Sequence, residues 1–303
     1  FLTQADAIIA VSDFSAEVIK ASAGRVFPEL KKRIRTVLNG IDTQLYHKVD
    51  PTPVFHRYAL DPSVHQIILH PHRPEAGKGL MQTILVVEKL VKTYGFTHVR
   101  VLVPQWLGEM NGQLESEFHT QISAELQSRG LEEHFIFHPW LSQEEMPAYY
   151  SAARLTLCLG NQVEAFGNVA YESLACGTPS IVAKVGVHRS QLPDTLIDKV
   201  EYGDVDAATQ IAATILREHT RVRGERLEQI LKYFSLEHQL EAYAQIITQA
   251  EILPKMEEKT LEISLETRFQ LAPWCYLSSR GIFHDYHANY YRIPELESWL
   301  SET

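Results

Sequence analysis

Short apolar runs bounded by turn residues alternate with stretches of helical periodicity along most of this chain. Ala7–Val11, Ile34–Leu38, Gln66–His70, His98–Val103, Phe135–His138, Leu155–Leu159 and Ser180–Ala183 read as strands. Between them, apolar residues recur at helical spacing, as at Leu80, Ile84, Val87, Leu90 and Val91. Helices are expected near 13–23, 79–94, 113–129, 143–152 and 167–176, and they dominate from about 206 to 250. Ser12 or Asp13 caps the first, and Ser142 with Glu145 makes a capping box for the fourth. Strands joined by helices lie parallel, because each crossover returns the chain to the same end of the sheet. The expected fold is α/β with a doubly wound parallel sheet, which takes ligands at the carboxyl ends of its strands.

The length of 303 residues suggests about two domains. The formal charge of −10 argues against general affinity for nucleic acid or anionic lipid, and leaves room for a local basic pocket or peripheral membrane contact. Cys158, Cys176 and Cys275 are too few and too scattered for a disulfide framework. They read as thiols in a reducing, cytoplasmic setting. No run reaches the roughly 18 apolar residues of a membrane helix. Residues 43–63, with Pro51, Pro53 and Pro62, read as a linker. The tail, 251–303, carries Phe269, Trp274, Tyr276, Phe283, Tyr290 and Trp299 with no clear period. It reads as an extension wrapped on another surface, with a ligand lid as the sharper alternative.

Two constellations carry chemistry. Glu164-Ala-Phe-Gly-Asn-Val-Ala-Tyr-Glu172 lies between two expected strands, with Gly167 and Asn168 where a helix starts. Free amides and the helix dipole there suit a phosphate. Glu164 just before that helix and Glu172 one turn inside it suit sugar hydroxyls, although acidic residues also favour any helix start. The second is His70-Pro-His-Arg-Pro-Glu-Ala-Gly-Lys-Gly79. Arg73 and Lys78 stand in a loop after one strand and before a helix, where paired cations suit a diphosphate. A Walker loop is excluded, since Lys78 is followed by Gly79 and His72 stands six positions before it. His70, His72 and His138 read as ordinary strand-end histidines, and no metal site is expected.

These residues resemble the signature of retaining family-4 glycosyltransferases (glycosyl transferases group 1). Glu164-x7-Glu172 with Phe166-Gly167, then Ala175-Cys-Gly-Thr-Pro179, is similar to the family's best-known segment. Arg73, Lys78 and Gly79 resemble its Gly-Arg-Leu-x-x-x-Lys-Gly segment, with His72 in place of the glycine. Asn39-Gly-Ile-Asp42 resembles its Asn-Gly-Val-Asp, and Ala5-Asp6-Ala-Ile-Ile-Ala-Val-Ser12 the strand before it. Where the family has Gly-Gly, Gly186-Val187 stands here.

The resemblance implies a GT-B fold, two Rossmann-like domains across a cleft. On that reading 1–38 is a remnant of the N-terminal domain, 39–63 the linker and 64–235 the nucleotide-sugar-binding domain. Residues 236–250 then form the helix crossing back, and 251–303 the extension. The chain is expected to be a piece of a longer protein that lacks most of the N-terminal domain, and to transfer poorly or not at all alone. By carry-over, Arg73 and Lys78 would bind the diphosphate and Glu164 the sugar hydroxyls. The amides of Phe166, Gly167 and Asn168 would lie along the sugar and phosphates, and Glu172 would bind the ribose. The implied reaction is retaining, metal-independent transfer from a UDP-, GDP- or ADP-sugar, with no cofactor, to a glycan, lipid or small-molecule acceptor. The alternatives are a nucleotide-sugar-binding module, a catalytically silent GT-B relative acting as a subunit, and a nucleotide-sugar epimerase.

Overall fold

The computed structural model describes residues 7–73, 75–105, 112–251, 253–260, 264 and 270–292, with the backbone alone for 112–116. Ala5, Asp6, Pro74, Phe269 and Trp299 lie outside the described residues. The N-terminal segment forms β1 (Ile8–Ala10), α1 (Asp13–Ala21), α2 (Ala23–Val26), α3 (Leu30–Arg33) and β2 (Ile34–Thr36). Ser12 is the cap of α1, its hydroxyl accepting from the Ser15 amide at 3.1 Å. β1 and β2 pair in parallel, and Ala10, Ala16, Leu30 and Ile34 make a small core with Met256.

The 43–63 segment is not only a linker. Residues Thr52–Arg57 form α4, and its Val54 is buried in the main core. Pro51 and Pro53 start this helix instead of preventing it, because a first helical turn needs no proline N–H.

The alternating series follows as β3 (Gln66–Leu69), α5 (Leu80–Lys92), β4 (Val99–Gln105), α6 (Gly112–Arg129) and β5 (Phe135–Pro139). It continues through α7 (Met146–Ala152), β6 (Leu155–Cys158), α8 (Asn168–Ala175), β7 (Ser180–Ala183), β8 (Asp198–Val200) and α9 (Val205–Glu218). Then come α10 (Glu225–Tyr233) and α11 (Leu236–Thr248). Six strands make one sheet in the order β5-β4-β3-β6-β7-β8, every described pairing parallel.

Burial on both faces explains why its strands read as unbroken apolar runs. Ile67 and Leu69 enter one core with Tyr149, Tyr171 and Leu174, while Ile68 enters the opposite core with Ile84, Leu90 and Ala212. Ile67, Ile68 and Leu69 are all fully buried. Each such side chain contributes roughly 1.5–3 kcal/mol by leaving water. The edge strand β8 carries Asp198 and Lys199, which hid it from hydropathy reading; of its residues Val200 alone is buried.

After β3 the chain winds one way to β4 and β5, and after β6 the other way to β7 and β8. The crevice between the carboxyl ends of β3 and β6 is therefore the topological switch point. Part of the extension also folds. β9 (Cys275–Ser278), β10 (Gly281–His284) and β11 (Asn289–Tyr291) form a small antiparallel sheet, with Phe283 packed on Ala183 and Val185. Strands of three and four residues are too short to show a period in sequence. Among the described residues no helix is long and apolar enough to cross a membrane.

Candidate functional site

The loops that leave β3 and β6 lock together backbone to backbone. After β3 the chain passes His70 and Arg73, makes a 3-10 turn over Ala76–Lys78, and enters α5 through Gly79 at φ 86°. A Cβ on Gly79 would lie 2.6 Å from the Leu159 carbonyl carbon, and one on Gly160 2.7 Å from that of Lys78. The Asn161 and Gln162 amides both donate to the Gly77 carbonyl, at 2.9 and 3.0 Å. Only residues without a Cβ allow this approach. It carries Lys78 to Glu164, and the two form an ion pair that is largely shielded from solvent.

Ser12 secures the same loop from the other side, its hydroxyl donating to the Ala165 carbonyl at 2.6 Å. Phe166 turns its ring into the core, 5.3 Å from Tyr171 and 5.4 Å from Phe234 between ring centres. The loop backbone is thereby fixed at the surface. Gly167, at φ 83°, starts α8 with no side-chain cap. The first amides of a helix have no intrahelical partner, so this end favours an anion.

A cavity of about 530 Å³ collects these groups. Of the seven residues singled out in the sequence, Arg73, Lys78, Glu164, Phe166, Gly167 and Asn168 line it. Glu172 does not; its carboxylate accepts from the Tyr150 hydroxyl at 3.0 Å and from Tyr46. Burial raises its pKa, and the two tyrosine hydrogen bonds counter part of that rise. The tyrosines come from α7 and from the segment before α4, too far apart in sequence for spacing to reveal them.

The cavity also takes in Trp140, 55% exposed after β5, and His188 from a 3-10 turn over Gly186–Arg189. The His188 ring fills the space a side chain at 167 would need, since a Cβ there would sit 2.7 Å from its Nε2. The departure from Gly-Gly near 186 was the one sequence signal that this wall differs.

Burial lowers the pKa of His70 to about 3 and of His188 to about 4, and takes His72 well below the ordinary histidine range. All three are neutral at pH 7, so Arg73 and Lys78 supply the positive charge of the cavity. Cys158 and Cys176 are buried free thiols, with Cys176 pushed up to about 12 by burial. Among the described residues no group of three His, Cys, Asp or Glu side chains could hold a metal ion.

A second hollow, of about 520 Å³, lies between the N-terminal segment and α11. Lys32, Arg33 and Arg35 line it beside Ile246 and Leu253. It is of similar size, but Glu29 and Glu251 stand beside its cations, it lies away from the switch point, and it includes none of the seven residues.

The family described as Glycosyl transferases group 1 matches residues 59–217. The D-inositol 3-phosphate glycosyltransferase of Acidothermus cellulolyticus is 29% identical over 155 residues, which is 51% of this chain and 34% of that protein. The chain thus spans about a third of that relative's length. Sucrose-phosphate synthase from Thermosynechococcus elongatus superposes with a TM-score of 0.68 at 22% identity, covering 82% of this chain and 59% of that one. Anabaena HepE in complex with UDP-glucose does so with a TM-score of 0.68 at 17% identity, covering 80% and 64%. At these identities the two structures speak to the fold alone.

Proposed function

The chain belongs to the glycosyl transferases group 1 family, with the GT-B type of fold, and from that premise we propose that its 530 Å³ cavity binds the nucleotide-diphosphate sugar of a retaining glycosyltransferase. The observation that carries this reading is the meeting, at the switch point, of Arg73, the Lys78–Glu164 pair and the uncapped start of α8. The diphosphate lies between Arg73 and Lys78 with its oxygens toward the α8 amides. Lys78 exchanges Glu164 for a phosphate oxygen, and the released carboxylate accepts from the sugar hydroxyls. The nucleobase extends toward Trp140.

Chemistry follows from that placement. The bond from the anomeric carbon to the phosphate oxygen breaks with its electron pair on the leaving diphosphate, the acceptor's hydroxyl oxygen bonds to the anomeric carbon on the same face, and the hydroxyl proton passes to the departing phosphate oxygen. Fixed cations and amides stabilise that charge as it develops, with no reorganisation at the moment of reaction. Two side-chain cations provide the countercharge locally, so the proposed reaction is metal-independent. Glu172 already accepts from Tyr46 and Tyr150, and its remaining lone pairs are the ones a ribose hydroxyl would use.

HepE structures hold UDP and UDP-glucose, which makes UDP-glucose the first probe. The test is calorimetric titration with UDP-, GDP- and ADP-glucose, followed by assay of sugar release. Saturable binding of one of them is expected, and binding of none overturns the reading. Binding without turnover favours a donor-binding subunit.

A further inference from the structure

The turn that forms one wall of the cavity is gripped from behind by the extension. On the cavity side, His188 lies against Gly167, and a Cβ on Gly186 would come within 3.3 Å of the Glu164 carbonyl oxygen. On the far side, Asp285, 1% exposed, pairs with Arg189 and accepts from the Gly186 amide. Arg189 also donates to the Pro273 carbonyl at 3.3 Å and lies 4.1 Å over the Tyr276 ring. Phe283 is fully buried in a cluster with Ala183 and Val185, and Val163, the neighbour of Glu164, packs against that cluster. Tyr276 is hydrogen-bonded to Glu201 just after β8, which anchors the small sheet to the domain.

We propose that the β9–β11 sheet is a clamp that positions the sugar end of the donor cavity through Asp285–Arg189 and through the Phe283 cluster on which Val163 packs, and so sets how well the chain distinguishes a nucleotide sugar from the bare nucleotide. This rests on the donor-site reading above. The diphosphate contacts of Arg73 and Lys78 lie on the loop between β3 and α5, outside the segments to which Asp285, Tyr276 and Phe283 are bonded or packed, whereas the α8 amides follow directly on the Glu164 loop. The Glu164 loop and the His188 wall are the parts it holds. A buried ion pair costs much of its attraction in lost hydration, so its main effect is to fix one geometry. Asp285 and Arg189 are positioning residues, since neither lines the cavity.

The experiment compares UDP-glucose with UDP by calorimetry on the unsubstituted chain, on Asp285→Ala and on Asp285→Asn. Asp285→Ala is expected to lower the UDP-glucose to UDP affinity ratio about tenfold, because displacement of a wall costs bound geometry directly. Asp285→Asn keeps a hydrogen bond to Arg189 and is expected to fall between. UDP affinity itself should stay within about twofold in both, as expected for separate contacts. An unchanged ratio, or equal loss of both ligands, overturns the clamp and leaves the donor site standing. Failure of the unsubstituted chain to bind either ligand overturns both readings. Should the alanine variant not fold, amide exchange on the unsubstituted chain decides. UDP-glucose, but not UDP, should slow exchange across 275–291, and equal effects or none overturn the clamp.

Discussion

Lys78→Ala is expected to weaken nucleoside-diphosphate binding about 100-fold, the scale of losing one partner of a shielded charge pair at a binding site. Two effects act together. The diphosphate loses its nearest ammonium, and Glu164 is left as an uncompensated carboxylate facing the incoming anion. The second effect makes the prediction specific. Glu164→Gln alone should tighten UDP binding, because Lys78 no longer has a carboxylate to leave, while the preference for UDP-glucose over UDP declines. Removing the carboxylate should help UDP binding more in the Lys78→Ala background, where nothing compensates it, than in the unsubstituted chain, an inequality that independent sites would not show. Calorimetry on the four proteins reads this cycle. Additive losses, or a Glu164→Gln variant that binds UDP more weakly, would contradict the assigned pair.

Gly79→Ala is expected to cost about 2–4 kcal/mol of stability, combining left-handed strain with a backbone clash. The residue sits at φ 86°, and its Cβ would meet the backbone of Leu159 and Gly160, which no side-chain rotation relieves. Gly95→Ala provides the control. It shares a positive φ of 77°, but no atom lies within 4 Å of its Cβ, so it should lose only about 1 kcal/mol. Thermal unfolding separates them, with a midpoint drop of roughly 6–12 °C for Gly79→Ala. Equal losses would show that loop packing at the switch point is not what fixes Lys78 beside Glu164.

Much of the sheet was readable because its strands are buried on both faces, so Gln66–Leu69 and Leu155–Cys158 stand out as apolar runs whatever surrounds them. The charged β8 and the short β9–β11 strands lack that signal, and they form because neighbours already in place accept them. Asn39-Gly40 reads as a turn, yet Gly40 is held for another reason. A Cβ there would sit 2.6 Å from the Leu236 amide nitrogen, where α11 begins. Arg73, Lys78 and Glu164 were legible as chemistry, being charged residues in loops next to strand ends. Their convergence was not, because it depends on the glycine contact between two loops far apart in sequence. The tyrosine partners of Glu172 and the clamp on Arg189 depend on tertiary packing alone.

The central claim is tested most directly by a crystal structure of the chain soaked with UDP-glucose. The account predicts the diphosphate between Arg73 and Lys78 at the start of α8, the ion pair opened, and the glucose against Glu164 and His188. A ligand seated instead among Lys32, Arg33 and Arg35, with the Lys78–Glu164 pair intact, would contradict it.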